Sequence, residues 1–465
     1  MDVRHSALRV MLLAAGVACV VVAGCRKEET EPPADPAPNK GAAAAPADPV
    51  PNVVTAEIQA GIEKHIEERT REGDGYFRFS AGDRELALRL VRVHTEYLAN
   101  LGPGRHFACV DLVDTEGDVY DVDFFLAGDP GAMTVTETTL HKINGKPYYL
   151  WKQKPDRTWV RVTVEEGSQE LLGVVHGQDE FTFFYAATLP DIAGAGRMWV
   201  PLASSDDYQS VEVLAIDMPG EPRELEDAAH GNKVLFLDVG TEDSGKQIEV
   251  RYRVRRREKA AYPSREADLS RYLNPELLVP RNDTFDSIVE QVVEGKPTGL
   301  MQARAIYDHV IEQVRYAKHG TGWGRGDAVY ACDARTGNCT DFHAYFVALA
   351  RSAGIPARFA IGAAIPSERD DGGVDGYHCW AEFHADGKWW PVDVSEGDKY
   401  SSLATYYFGH HPANRFELSR GRDLVVEPGP AGGPINFLAY PVLEVEGQPV
   451  KAAVRFTFER AAVTR

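Results

Sequence analysis

The fold is constrained most by Gly337-Asn338-Cys339-Thr340-Asp341-Phe342-His343 and the run from Ala344 to Ala353 that follows it. Gly337 and Asn338 break whatever precedes them, and Thr340 and Asp341 suit the first turn of a helix. Phe342, Phe346, Leu349, Ala350 and Ala353 then recur at helical spacing before Gly354 stops the run. Such an apolar helix is expected to be buried, with Cys339 at its start. Unpaired N–H groups and the positive end of the helix dipole favour the thiolate over the thiol at that position. The expected consequence is a nucleophile with a lowered pKa.

A thiolate that does chemistry needs a base beside it and a group that orients the base. Downstream, Tyr377-His378-Cys379-Trp380-Ala381-Glu382-Phe383 and Gly387-Lys388-Trp389-Trp390-Pro391-Val392-Asp393 read as two short strands joined by a turn at Ala385-Asp386-Gly387. On neighbouring antiparallel strands, His378 at one start and Asp393 at the other end come opposite each other and can pair. Cys379, on the other side of the strand from His378, is expected in the core.

A Cys at a helix start followed by a His and an Asp on two strands resembles the core of the transglutaminase-like superfamily, relatives of the papain-like cysteine proteases. The matching residues are Gly337-Asn338-Cys339-Thr340-Asp341-Phe342, Ala350 to Arg358, His378-Cys379-Trp380-Ala381-Glu382 and Trp390-Pro391-Val392-Asp393. The helix from Ala303 to Tyr316 and the loop Gly322-Trp323-Gly324-Arg325-Gly326-Asp327 also resemble bacterial members. The resemblance covers about the last third of the chain. It implies Cys339 as nucleophile, His378 as general base and acid, and Asp393 as orienter. Trp323, in a glycine-rich loop upstream of the nucleophile, is a candidate for the substrate cleft.

The amino terminus reads as an address. Arg4 and Arg9 precede the apolar run Val10 to Val22, and Ala23-Gly24-Cys25 supplies a small-residue cleavage site. Val22-Ala23-Gly24-Cys25 resembles a bacterial lipobox, which implies cleavage before Cys25 and lipidation of its thiol. Residues Arg26 to Pro51 are Glu, Pro, Ala and Asp with almost no core formers, so they are expected to remain a flexible tether. Arg26 is not the Asp that often implies inner-membrane retention in such lipoproteins. The expected location is therefore the bacterial cell envelope, lipid-anchored on the extracytoplasmic side, with the outer membrane facing the periplasm preferred.

With 50 Lys+Arg against 70 Asp+Glu, the formal charge of -20 argues against a nucleic-acid partner. The basic run Arg255-Arg256-Arg257 reads as a solvated strand end. After the signal and Cys25, the cysteines are Cys109, Cys332, Cys339 and Cys379, too few for a disulfide scaffold. A zinc site of Cys332, Cys339, His378 and Cys379 lacks the paired C-x-x-C spacing, and a Cys332–Cys339 disulfide would consume the nucleophile. The acidic run Ser367 to Asp375 lacks the ligand spacing of a calcium loop and reads as a solvated loop near the site. No metal and no cofactor are called for.

Between tether and catalytic region, Ile58 to Arg69 and Arg84 to Leu101 read as helices, the second from Leu86, Leu90, Val93 and Leu98. Alternating runs at Phe107 to Val113, Val119 to Leu126, Met133 to Ile143 and Pro147 to Lys152 follow, with a hairpin signal at Asn144-Gly145. His94, His106 and His141 read as surface or packing residues. Short strands from Glu180 to Arg255 suggest a β-sandwich with Trp199 in its core. The chain is thus expected to be α+β and multidomain. Residues 1–24 are a signal peptide, 25–55 a tether, 56–165 a small α+β domain, 166–295 a β-sandwich and linker, and 296–465 a transglutaminase-like catalytic domain. In that last part a helix-borne Cys packs on an antiparallel sheet, completed by strands after Asp393. The expected activity is thiol-dependent acyl transfer, as hydrolysis of a peptide or cell-envelope amide. The alternatives are protein transamidation and a non-catalytic peptide-binding envelope lipoprotein.

Overall fold

The computed structural model describes residues 55–81, 84–95, 98–102, 104–153, 159–163, 173–318, 321–399 and 401–460. The expectations for the signal, for Cys25 and for the tether lie outside these residues. The fold is mixed α+β and rich in sheet.

Helix Thr55–Glu72 repeats Ile58, Ile62 and Ile66 every four residues, and this stripe lies on one face of a seven-stranded antiparallel sheet, against Leu86, Leu88, Val110, Val122 and Phe124. The expected second helix is a strand, Arg84–Val93. Its buried residues are Leu86 and Leu88, then Val91 and Val93, because a bulge between Leu90 and Arg92 slips the alternation by one residue. Two strand phases joined by a bulge give a spacing that reads as helical. Asn144 and Gly145 take φ of 49° and 80°, the hairpin geometry their types allow. His94 and His106 are buried packing residues.

Two five-stranded sheets then face each other across a shared core that includes Phe183, Tyr252 and Phe456 on one side and Met198, Leu237 and Leu443 on the other. Trp199 is buried, with its indole N–H donating to the Pro428 carbonyl at 2.8 Å. The run at 255–257 is not wholly solvated: alternation exposes Arg255 and Arg257 but buries Arg256, which donates to Gln209 Oε1 at 3.1 Å.

The sandwich also takes two strands from after Asp393 that were expected in the sheet of His378. Ala453–Arg460 pairs with Gln178–Thr188, and Val442–Val445 pairs with Gly196–Leu202. Each covers a strand edge that would otherwise carry unpaired N–H and C=O groups. Asp371–Val374, expected as a loop over the site, is an edge strand on Ala453–Arg460. Tyr406 ends a short helix, Ser401–Tyr406.

The sheet that carries His378 is antiparallel in the order Tyr262–Pro263, Lys388–Val392, His378–Ala385, Ala357–Ala364 and Arg415–Arg420. Helix Cys339–Ser352 is buried from Cys339 to Arg351, against Phe383 and Trp390 of the sheet and against Phe285, Ile306 and Val310 of helices Asp283–Val292 and Gly299–Gln313. Emptying one such position, as in Phe346→Ala, costs about 3–5 kcal/mol. The position of Cys339 is therefore set by a packed core.

Candidate active site

Asn338 caps the buried helix. Its side-chain oxygen accepts from Thr340 N–H at 3.0 Å, and the Asp341 carboxylate reaches back to Asn338 N–H at 3.0 Å. This reciprocal cap satisfies N–H groups that a helix start leaves without partners. Asp341 does more than cap. It also accepts from Gly324 N–H at 2.7 Å and Gly326 N–H at 3.0 Å, so one buried carboxylate ties the glycine loop to the start of the helix. Gly337 leaves room for it, since a Cβ there would lie 2.4 Å from Asp341 Cβ. Gly322, Gly324 and Gly326 have φ of 102°, 80° and 62°, values that explain the glycine richness. Trp323 is half-buried in this loop, next to the amide that bonds Asp341. Tyr377 closes the arrangement: its hydroxyl accepts from Asn338 Nδ2 at 3.1 Å and donates to the Gly324 carbonyl at 3.3 Å.

His378 and Asp393 meet as the spacing suggested, though not as a direct cross-strand pair. The register opposes Ala381 to Val392, and the second strand ends there. Asp393 turns out of it as the cap of a short helix, Val394–Gly397, and points Oδ2 at His378 Nε2, 2.6 Å away. Asp393 Oδ1 accepts from the Ser395 hydroxyl and the Glu396 N–H, both at 3.1 Å. Behind the strand, Glu382 accepts from Lys259 at 2.9 Å, Tyr262 at 2.9 Å and Arg358 at 2.8 Å, which fixes the sheet beneath the site.

Cys339 is only 2% exposed. Hydrogen bonding from the Cys379 thiol pulls its pKa well down. His378, as a hydrogen-bond partner and a positive neighbour, adds to this against the opposing effect of burial. Burial alone would lower His378, but Asp393 and then Cys339 raise it to about 10. Burial likewise pushes the Asp393 carboxyl up, and it is nevertheless held far below the usual range, chiefly by His378. Both directions favour a thiolate on Cys339 beside an imidazolium on His378, with the Asp393 carboxylate against Nε2. With Nε2 engaged by Asp393, Nδ1 is the nitrogen left for the thiol.

Two further residues, His343 and Cys379, act at this site. His343, one turn after Cys339, is fully buried. Its Nδ1–H donates to the Cys339 carbonyl at 2.7 Å, and its Nε2 accepts from Val394 N–H at 3.0 Å. One donor and one acceptor make it neutral, consistent with burial lowering its pKa. It links the Cys339 helix to the segment after Asp393. The i, i+4 spacing from Cys339 was the available signal. Cys379 is buried as expected, but it is more than a core residue. Its thiol hydrogen-bonds to Cys339, and its sulfur lies 3.4 Å from His343 Nδ1. Alternation separates neighbours along a strand, but a thiol at the strand's first residues is within reach of both His378 and Cys379. Cys332 lies away from the site on helix Ala328–Ala334 beside Tyr345, so it is not brought together with Cys339, His378 and Cys379, and the four described cysteines form no disulfide.

Residues 286–394 match the family model described as the transglutaminase-like superfamily. The chain is 28% identical over 325 residues to an uncharacterized protein of Haemophilus influenzae, covering 59% of this chain and 87% of that one. A solved Cytophaga hutchinsonii structure, presented as a candidate cysteine protease, aligns with a TM-score of 0.42 at 16% identity, over 60% of this chain and 91% of that one. The periplasmic domain of TgpA from Pseudomonas aeruginosa aligns with a TM-score of 0.27 at 15% identity, over 54% and 82%.

Proposed function

We propose that the transglutaminase-like domain carried by this chain at residues 286–394 performs thiol-dependent acyl transfer on amides, ending in hydrolysis of a peptide or cell-envelope amide. The observation that carries the reading is the chain of contacts from Cys339 through His378 to Asp393, with the 2.6 Å bond at its far end. Cys339 as thiolate attacks the carbonyl carbon, and the oxyanion develops beside the Cys339 N–H at the helix start. His378 delivers its Nδ1 proton to the leaving amine, and a thioester remains. Water then gives a proton back to His378 as it attacks, and the acid leaves. Asp393 holds the ring in the tautomer both steps need. The half-buried Trp323, held by the Asp341-anchored loop, is assigned to the substrate cleft.

The mature chain is proposed to be lipidated at Cys25 and held in the envelope on the extracytoplasmic side. Among the described residues no helix is long and apolar enough to cross a membrane. The test is incubation of the protein with envelope peptides and a peptide library, followed by mass spectrometry. Cleavage or ammonia loss that disappears in Cys339→Ala supports hydrolysis. Mass gain matching an added amine makes the reaction transamidation, and no thioester or product from any substrate leaves a binding protein.

A further inference from the structure

The seven-stranded sheet has a second face. On its pairing strands, Cys109 opposes Asp123 and Asp111 opposes Asp121, so all four side chains point away from helix Thr55–Glu72, and all are buried. Three carboxylates in one interior are costly unless each is neutralised. Asp111 takes Arg304 at 2.8 Å and His94 at 3.0 Å. Asp121 takes Lys142 on Oδ2 at 2.9 Å, and Asp123 takes the Tyr149 hydroxyl on Oδ2 at 2.7 Å. Each of the last two carboxylates is thus gripped from outside by one oxygen and turns the other inward.

What they face is His141. The strand Thr134–Ile143 slips register between Asp121 and Val122, with Asp121 opposite Lys142 and Val122 opposite Leu140, so His141 is the extra residue of a bulge. Bulges re-aim side chains, and this one brings both His141 and Lys142 to Asp121. His141 Nδ1 is shut off from solvent and makes no hydrogen bond. It stands 3.6 Å from Asp121 Oδ1 and 3.7 Å from Asp123 Oδ1, beyond hydrogen-bond reach but near the ligand-to-ligand spacing of a small tetrahedral ion. Cys109 Sγ lies 2.8 Å from Asp121 Oδ1. Sulfur, imidazole nitrogen and two carboxylate oxygens all fall within 4.8 Å of one another.

We infer that Cys109, Asp121, Asp123 and His141 form a structural site for a divalent borderline metal, with zinc the best match to one thiolate, one imidazole and two carboxylates. On binding, the Cys109 S–H bond breaks, its proton leaves to solvent, and the sulfur electron pair binds the metal; nothing is oxidised or reduced. Lys142 and Tyr149 act as the outer shell that orients the carboxylates. The ion would staple three adjacent strands, Arg105–Val113, Val119–Ala127 and Thr134–Ile143, in the sheet whose second face meets Arg304 of the catalytic region. This site is separate from Cys339, so its test is independent of the proposed activity.

The experiment is cobalt titration of the chelator-stripped chain, with zinc content measured by elemental analysis. One equivalent is expected, with a thiolate-to-cobalt absorption band that is lost in Cys109→Ser and kept in Cys339→Ser. Tyr149→Phe should weaken binding about tenfold. If Cys109→Ser does not fold, His141→Gln and Asp123→Asn decide, through loss of zinc and loss of the thermal stabilisation zinc gives the wild type. A stripped protein that takes up no metal overturns the inference, as does a band that survives Cys109→Ser and vanishes in Cys339→Ser. The cluster is then a hydrogen-bonded ion network only.

Discussion

Asp393→Asn is the substitution that tests the site most directly. The carboxylate lies fully buried, 2.6 Å from His378 Nε2, and is the main force raising His378 from 6.5 to about 10 against burial. That difference is on the order of 5 kcal/mol of preference for the imidazolium. Asparagine is nearly isosteric and can still accept from Ser395 and Glu396. It cannot supply the charge, and its amide N–H turned toward Nε2 would select the tautomer with Nδ1 protonated, which has no lone pair for the thiol proton. His378 should then fall to its ordinary range or lower, and Cys339 should lose its positive partner. The expected loss in kcat/KM is about 10³–10⁴-fold. The assay is the rate of iodoacetamide alkylation of Cys339 against pH, read by peptide mass so that other thiols do not count. Wild-type Cys339 should label at a rate nearly independent of pH across neutrality, while Asp393→Asn should need alkaline pH, as an ordinary thiol does. Identical pH profiles for the two proteins, with activity within about threefold, would refute the ion-pair argument.

Cys379→Ala removes the leading cause of the low Cys339 pKa; the apparent pKa for alkylation should rise and activity at pH 6 should drop more than at pH 8, whereas a purely packing role for Cys379 would lower both equally. Asp341→Ala leaves the N–H groups of Gly324, Gly326 and Asn338 without their acceptor. At about 1–3 kcal/mol for each group left unsatisfied, urea denaturation should report a loss of about 3–9 kcal/mol, and a loss below 1 kcal/mol would mean that the loop is not anchored there. The pH dependence of stability carries a sign that the pair fixes. The His378 contribution, from a raised pKa, is complete below 6.5 and is lost as pH rises toward about 10. The Cys339 contribution, from a lowered pKa, is complete above 9.0 and is lost as pH falls. Between pH 6.5 and 9 folded and unfolded chains hold one proton each on the pair, so these two slopes cancel. Cys339→Ser leaves only the falling His378 limb, so the wild-type advantage over this variant should climb by up to about 1.4 kcal/mol per pH unit in that window; a constant difference by denaturation at three pH values would contradict it.

What the sequence determined on its own is local. Asn338, Cys339 and Asp341 sit within one turn, so the cap and the thiol's place at the helix start follow from spacing alone, and Asp386-Gly387 sets the hairpin that carries His378 toward Asp393. Where one residue slipped, the local pattern misled: the bulge at Leu90 to Arg92 turned a strand's alternation into an apparent helix. Only the tertiary structure decided the rest. His343 gains its role from Val394, which is 51 positions away, and Cys379 gains its role from Cys339. The last strands joined the sandwich, where each pairs with a strand more than 240 positions away in sequence. The burial of Asp121 and Asp123 side by side is likewise a product of packing. A hydrogen bond within four residues is written in the chain, whereas burial and long-range pairing depend on which surfaces meet, and no short stretch of residues carries that information.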